Sequence, residues 1–258
     1  MEGNGTQVLR DHWAVVTGAS MGIGFGIARA FVKAGANVMI VARRPEPLAA
    51  AADDLRALAD SGQRVLTAQA DTSSVDAIEG LFETIDAELP RLDTFVANAG
   101  RGTVTSFVDI SVEEWNDTIG FNLTGTFVAC QRAAQRMVAS DAPNRSILVV
   151  SSIRASGVRP GVLAYSVTKA GLNQMVRVAA YELAPAGVRV NALLPGITAT
   201  PMALEINPDL FAQRIANVPM GRAGSPDDMG DAAVYLSSPA ARFVTGVNFV
   251  VDGGESLW

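Results

Sequence analysis

Cysteine and histidine are almost missing: Cys130 and His12 are the sole examples in 258 residues. One cysteine cannot close an intramolecular disulfide. One cysteine with one histidine cannot assemble the usual zinc ligand sets, so no metal is expected. A Ser-His-Asp triad would have to use His12, which stands at the start of the first strand-like run with no nucleophile elbow to match. His12 reads instead as a strand-edge residue. Basic charge is also short. Lys+Arg number 20 against 26 Asp+Glu, the net charge is −6, and no basic run occurs, which argues against a nucleic-acid binder. No apolar run reaches membrane-spanning length and no charged-then-apolar leader opens the chain. A cytoplasmic protein that binds neither membrane nor nucleic acid is expected.

Apolar material is plentiful. Hydrophobic residues make up 49% and charged residues 18%, enough to bury the core of one large α/β domain. Strand-like runs at 13–17, 37–41, 65–69, 94–97, 146–151, 188–194 and 248–251 alternate with helical patterns at 23–33, 47–59, 75–88, 112–138, 164–183 and 226–236. Several of the strand runs are nearly continuous Val/Ile/Leu/Ala, as strands covered on both faces require. Ser111 with Glu114 fits a capping box, Ser225-Pro226 an N-cap followed by proline, and Gly35, Gly62 and Gly187 fit helix stops. The pattern predicts a single-domain, Rossmann-like, doubly wound α/β sheet of seven mostly parallel strands with helices on both faces. Residues 1–10 read as a frayed tail and 11–258 as the domain. The excursion 198–224 breaks the rhythm after a strand and reads as a substrate lid.

The first strand runs straight into "VVTGASMGIGFGIARAF". Glycines at 18, 22 and 24 permit a tight turn and close backbone approach, and free N–H groups at the helix start near Ile23 can face a pyrophosphate. Gly18, Ser20, Gly22, Ile23 and Gly24 are therefore the expected phosphate contacts. The second strand ends "VMIVARRPEP". A carboxylate there would bind the ribose 2′-hydroxyl of NAD, but the position is Ala42, followed by Arg43 and Arg44, which favours NADP(H) over NAD(H). Met21 supplies no second basic contact in the loop. Asp71, with Thr72 beside it, can either accept from the adenine amino group or cap the next helix. Asn98-Ala99-Gly100 after the fourth strand lets backbone pass close to a ribose, and the Asn98 side chain can bridge strands.

Two further residues share a face. Tyr165 and Lys169 in "YSVTK" are four apart on a predicted helix, so phenol and ammonium can point at one spot. The ordered motifs "TGASMGIG", "ANAG", "FNLTG", "VVSSI", "YSVTK" and "LLPGITAT" resemble those of the short-chain dehydrogenase/reductase family, over nearly the whole chain. The general likeness is greatest to its 3-oxoacyl-[acyl-carrier-protein] reductase-like branch. The resemblance implies a tetrad of Asn122, Ser152, Tyr165 and Lys169. Tyr165 would be the general acid/base, its pKa lowered from about 10 by the Lys169 ammonium. Ser152 would bond the substrate oxygen. Lys169 would also hold the nicotinamide ribose, and Asn122, between Gly120 and Gly125, would kink its helix and bind a proton-relay water. Pro195, Gly196, Thr198 and Thr200 would form the nicotinamide end.

Arg101 and Arg154 stand where they can meet an anionic substrate group or serve as structural arginines, and Met202 in the lid is a further substrate candidate. The activity implied is NADP(H)-dependent interconversion of a carbonyl and a secondary alcohol in a small molecule, 3-oxoacyl compounds among them. An NAD-dependent sugar or alcohol dehydrogenase and a catalytically silent dinucleotide sensor are the alternatives. The resemblance also suggests a homotetramer, or a homodimer, packed through the helices at 112–138 and 164–183.

Overall fold

The computed structural model describes residues 7–204 and 208–257. Alternation along the first strand explains the layers. In β1 (Trp13–Thr17), Trp13 and Val15 point to one face, and Ala14 and Val16 to the other. All are buried, so both faces must be covered. The neighbours are β2 (Asn37–Ala42), β3 (Val65–Gln69), β4 (Thr94–Ala97), β5 (Arg145–Val150), β6 (Val188–Pro195) and β7 (Asn248–Val251). Their order is β3-β2-β1-β4-β5-β6-β7, and every pairing is parallel, with Val15 opposite Met39 on one side and Phe95 on the other.

Helices α1 (Gly22–Lys33) and α2 (Pro45–Leu58) pack on one face. Helix α3 (Val75–Glu88) packs on the other. The predicted helix over 112–138 is three pieces: α4 (Val112–Ile119), a π-helical turn (Gly120–Gly125) and α5 (Thr126–Val138). Gly125 explains the break, because a Cβ there would lie 2.1 Å from the Thr72 carbonyl oxygen. The 21-residue α6 (Leu163–Leu183) follows β5. The excursion after β6 holds α7 (Pro201–Leu204) and α8 (Pro208–Ile215), and α9 (Pro226–Ser237) returns to the face of α1. Gly26 of α1 lies against Pro226 of α9, and Gly230 of α9 against Ala30 and the Gly26 carbonyl.

Two local expectations change. Residues 7–10 are no tail: Leu9 is buried and its N–H bonds the Ala34 carbonyl at 2.9 Å, so an apolar side chain pins this stretch under α1. Ser111 accepts from the Glu114 N–H at 3.1 Å, but Glu114 turns away to the Thr105 hydroxyl, which leaves half a capping box. Asn144 and Asp93 tie His12 and Trp13 into the bottom of the sheet. Cys130 is buried and its thiol is pushed up to about 12, which keeps it protonated. No helix among the described residues is long and apolar enough to cross a membrane.

Because the chain winds outward to β3 and then restarts at β4, the crossovers diverge between β1 and β4. That switch point opens a crevice at the carboxyl ends of the strands.

Candidate active site and dinucleotide cleft

One wall of the crevice is made by leaving side chains out. Gly18 follows β1 at φ +65°, and a Cβ there would sit 2.9 Å from both Ala99 Cα and Asn98 Nδ2. At Gly24 a Cβ would come within 2.4 Å of the Gly18 carbonyl oxygen. Gly22, at φ +60°, faces the methyl of Thr200. Asn98 fastens the turn: its amide donates to the Thr17 and Gly18 carbonyls at 2.9 and 3.1 Å. The Thr17 hydroxyl accepts from the N–H groups of Asn98 and Ala99 at 3.0 and 3.2 Å. Met21 flanks α1 in extended backbone with no side-chain cap, and the first turn holds no acid. Its orphan N–H groups, with Ser20 and Ile23 beside them, and the glycine cradle suit a pyrophosphate.

The arginines that follow β2, expected at the adenosine end, lie beside Asp71 and the glycine turn. Arg43 is 68% exposed and its guanidinium is 3.6 Å from the Asp71 carboxylate. Arg44 reaches across to Met21 Sδ at 3.8 Å, beside the glycine turn. Asp71 is not the cap of α3; that residue is Ser74. Asp71 accepts from the Ser73 hydroxyl and N–H at 2.7 and 3.0 Å, and these bonds, with Arg43, hold its carboxyl below the usual range. Thr72 is buried and supplies the carbonyl on which Gly125 rests.

The other wall brings together the four residues expected as a tetrad, from the end of β5, the π turn and α6. Ser152 follows β5 in extended backbone, and its hydroxyl accepts from the Arg154 N–H at 3.1 Å. Tyr165 lies in the first turn of α6 and Lys169 one turn on. Asn122 sits fully buried in the π turn. There its amide donates to the Arg101 carbonyl at 2.8 Å and its oxygen accepts from the Arg101 N–H at 3.0 Å. Gly100 shows the convergence: a Cβ there would be 3.5 Å from both Asn122 Oδ1 and Lys169 Nζ. Gly102 lies beside the Tyr165 ring.

Electrostatics distinguish the members. Lys169 Nζ donates to the Val150 carbonyl at 2.9 Å and stands 5.5 Å from the centre of the Tyr165 ring. Burial pushes this ammonium down to about 8. Burial raises the Tyr165 phenol, and the facing Ser152 hydroxyl opposes that rise, followed by the charges of Arg154, Arg159 and Arg214. The sequence reading gave the cationic influence to Lys169 and missed Arg159 and Arg214. The one signal available was an arginine on the amphipathic piece of the lid.

In the stretch expected to form the nicotinamide end, the Gly196 N–H closes the β6 turn by bonding the Val251 carbonyl at 3.0 Å, and a Cβ there would be 2.6 Å from Asp252 Cβ. The Thr198 hydroxyl donates to the Gly196 carbonyl at 3.1 Å, and Thr200 accepts from the Ala203 N–H at 3.2 Å. Arg101 and Arg154, read as anion contacts or as structural arginines, already have carboxylate partners. Arg101 pairs with Asp117 and lies 5.1 Å over the Phe121 ring. Arg154 pairs with the nearly buried Glu255, whose other oxygen accepts from the Ile197 N–H at 2.7 Å. The side chain of Met202 lies outside the described residues.

Comparison with known proteins agrees with this geometry. Residues 18–256 match a family model described as enoyl-(acyl carrier protein) reductase. A 3beta-hydroxysteroid dehydrogenase 1 of Eggerthella lenta is 34% identical, over 97% of this chain and 95% of its own length. A 3-oxoacyl-[acyl-carrier-protein] reductase of Chlamydia trachomatis is also 34% identical, over 96% of this chain and 98% of its own. The crystal structure of a short-chain type dehydrogenase/reductase from Mycobacterium marinum superposes with a TM-score of 0.90 at 32% identity, covering 97% of this chain and 98% of that one. A parallel seven-stranded sheet with a glycine cradle on one wall of its crevice and a Tyr-Lys helix on the other, matched over nearly its full length, places this chain in the short-chain dehydrogenase/reductase family.

Proposed function

We propose that the protein interconverts a carbonyl and a secondary alcohol with NADP(H), Tyr165 exchanging the proton. The convergence of Ser152, Tyr165, Lys169 and Asn122 beside Gly100 carries this reading. When bound, the nicotinamide supplies or accepts the hydride. Tyr165, raised by burial, keeps its proton near neutral pH and donates it to the substrate oxygen during reduction. The Ser152 hydroxyl donates a hydrogen bond to the same oxygen. The phenolate needed in the oxidising direction is favoured by the Ser152 hydroxyl and then by the charges of Arg154, Arg159 and Arg214, while Lys169, one turn on, would hold the nicotinamide ribose. Asn122 clasps the Arg101 backbone and so holds the π turn and Gly100 against Lys169. Gly18, Gly22, Gly24 and the start of α1 take the phosphates, and Pro195–Thr200 the nicotinamide end. Asn98, Ala99 and Gly100 border the adjoining ribose, and Asp71 with Thr72 the adenine.

Arg43 and Arg44, with Ala42 where a ribose-binding acid would stand, favour a 2′-phosphate. The contact of Arg43 with Asp71 favours a second reading, an NAD-dependent sugar or alcohol dehydrogenase, because it occupies part of that charge. Titration of the protein with NADPH and with NADH, followed by tryptophan fluorescence, separates the two. NADPH is expected to bind at least about tenfold tighter, about 1.4 kcal/mol. Arg43→Ala should erase that margin, and equal loss for both cofactors would remove the assignment. Tyr165→Phe should abolish NADPH-dependent reduction of generic diketones while leaving cofactor binding intact; turnover near wild type would reject the proton role. The exposed Phe127, Val138, Val178 and Tyr181 on α5 and α6 support a homotetramer through these helices, and a monomer mass by light scattering would exclude it.

A further inference from the structure

Three distant parts of the chain meet at one carboxylate. Glu255 lies just past β7, and its two oxygens serve different partners. One accepts from Arg154 and the other from the Ile197 N–H at 2.7 Å. A double-glycine turn puts the side chain there. Gly253 and Gly254 stand at φ +62° and +89°, and the Asp252 carboxylate accepts from the Gly254 and Ser256 N–H groups, both at 2.8 Å. The turn is backed by the end of the excursion after β6. A Cβ at Gly253 would lie 2.8 Å from Val218, and one at Gly254 2.8 Å from Pro219.

Each contact of Glu255 lands next to a group that the reaction would use. Ile197 is the first residue beyond the ladder between β6 and β7. The Gly196 N–H still bonds the Val251 carbonyl, and the next N–H meets a side chain instead of a strand. Arg154 is two residues past Ser152, and its N–H donates to the Ser152 hydroxyl oxygen at 3.1 Å. That leaves the Ser152 hydrogen to be given elsewhere. Glu255 therefore joins the backbone that aims Ser152 to the backbone of the 195–200 stretch.

Satisfying the Ile197 N–H alone needs an acceptor, not a charge. The Arg154–Glu255 side chains are 19% and 7% exposed, the most enclosed ion pair among the described residues. An enclosed pair adds little net stability, because desolvation offsets its attraction, but it fixes the geometry of what it joins.

We propose that Glu255 is a positioning residue for hydride transfer: through Arg154 and Ile197 it holds the Ser152 turn and the 195–200 stretch in one register, so that substrate oxygen and nicotinamide meet in a fixed arrangement. This rests on the reading of Ser152 as hydrogen-bond donor to the substrate and of 195–200 as the nicotinamide end.

The test compares wild type, Glu255→Gln, Arg154→Gln and the double variant. Glu255→Gln keeps an oxygen for the Ile197 N–H but turns an amide nitrogen toward Arg154. Each protein is measured for thermal stability, NADPH affinity, emission of the bound reduced nicotinamide, and kcat and KM for a diketone at its own pH optimum. In Glu255→Gln, kcat is expected to fall about tenfold or more, with KM and NADPH affinity within about threefold of wild type, because misplacement costs rate before affinity. The emission of bound NADPH should shift toward that of the free coenzyme. Arg154→Gln should behave alike, and the double variant, whose two amides can bond each other, should be no worse than either. If Glu255→Gln does not fold, Arg154→Gln decides, since it leaves the contact of Glu255 with Ile197 in place. Wild-type kcat and emission in a folded variant, a kcat loss that only follows lost thermal stability, or losses that add in the double variant would overturn the proposal. A wild-type protein that reduces no diketone would count against the oxidoreductase reading instead, and the nicotinamide emission would then decide the role of Glu255 alone.

Discussion

Helices α1 and α9 pack against each other through small residues, yet their N-termini are opposites. The start of α9 is sealed. Ser225 accepts from the Asp228 N–H, Asp228 accepts from the Ser225 N–H at 2.6 Å, Pro226 fills the first position, and Arg222 braces Asp228. The start of α1 has no side-chain cap, no acid and three glycines. The sealed end faces the packing side and the open end faces the crevice. On the proposed function, the chain withholds a cap where a ligand's phosphates would supply it, and completes one where nothing would come.

Breaking the open end should have the largest effect. In Gly24→Val the new side chain would collide with the Gly18 carbonyl and the Asn98 amide, both 2.4 Å from the first added atom. A loss of about 3 kcal/mol or more is expected, together with NADPH binding, by thermal unfolding and fluorescence titration. Breaking the sealed end should cost less. Asp228→Ala removes the reciprocal acceptor and is expected to destabilise by about 1 kcal/mol with NADPH affinity unchanged. That deficit has a pH signature. Arg222 and the Ser225 N–H hold the Asp228 carboxyl well below the usual range, so its contribution is complete above about pH 4 and fades as pH falls below that. Wild type and variant should therefore converge in acid-unfolding curves.

Converting the open end into a sealed one gives a smaller, two-sided effect. Met21 already has the extended backbone of an N-cap. Met21→Ser should stabilise the ligand-free protein by about 0.5–1 kcal/mol and weaken NADPH about two- to fivefold, because the phosphates must displace the hydroxyl. Smallest is the control, Gly80→Ala. Gly80 is exposed in the middle of α3 with nothing within 4 Å of a new Cβ, so a gain of about 0.4–1 kcal/mol is expected and no change in cofactor affinity. A loss there would undercut the claim that the crevice glycines are special.

Much of this was readable from the chain. The strands and the glycine turn are local patterns, and each appears within a residue or two of its expected place. Helix α2 begins at Pro45 rather than 47, with Arg44 flanking it. The π turn was visible as Gly120 and Gly125 about Asn122, though as a kink; its form depends on Thr72, which meets Gly125 from far earlier in the chain. Partners far apart in sequence were not readable. The Arg154–Glu255 pair spans 101 residues and favours the structural one of the two roles left open for Arg154. Asp117 does the same to Arg101. The influence of Arg159 and Arg214 on the Tyr165 phenol depends on how the excursion after β6 folds back, which no periodicity encodes.

The strand order has a consequence for how the chain is born. Strand β1 is central and apolar, and its second edge is closed by β4; the Trp13 N–H meets the Asp93 carboxylate from 80 residues downstream. At translation speeds of about 5–20 residues per second, that edge waits roughly 4–16 s for its partner. During that interval Trp13–Thr17 is a Val-rich ribbon with one open edge, the kind of segment that seeds aggregation. Slowed translation between β2 and β4 should lengthen the exposure and lower the yield of native protein.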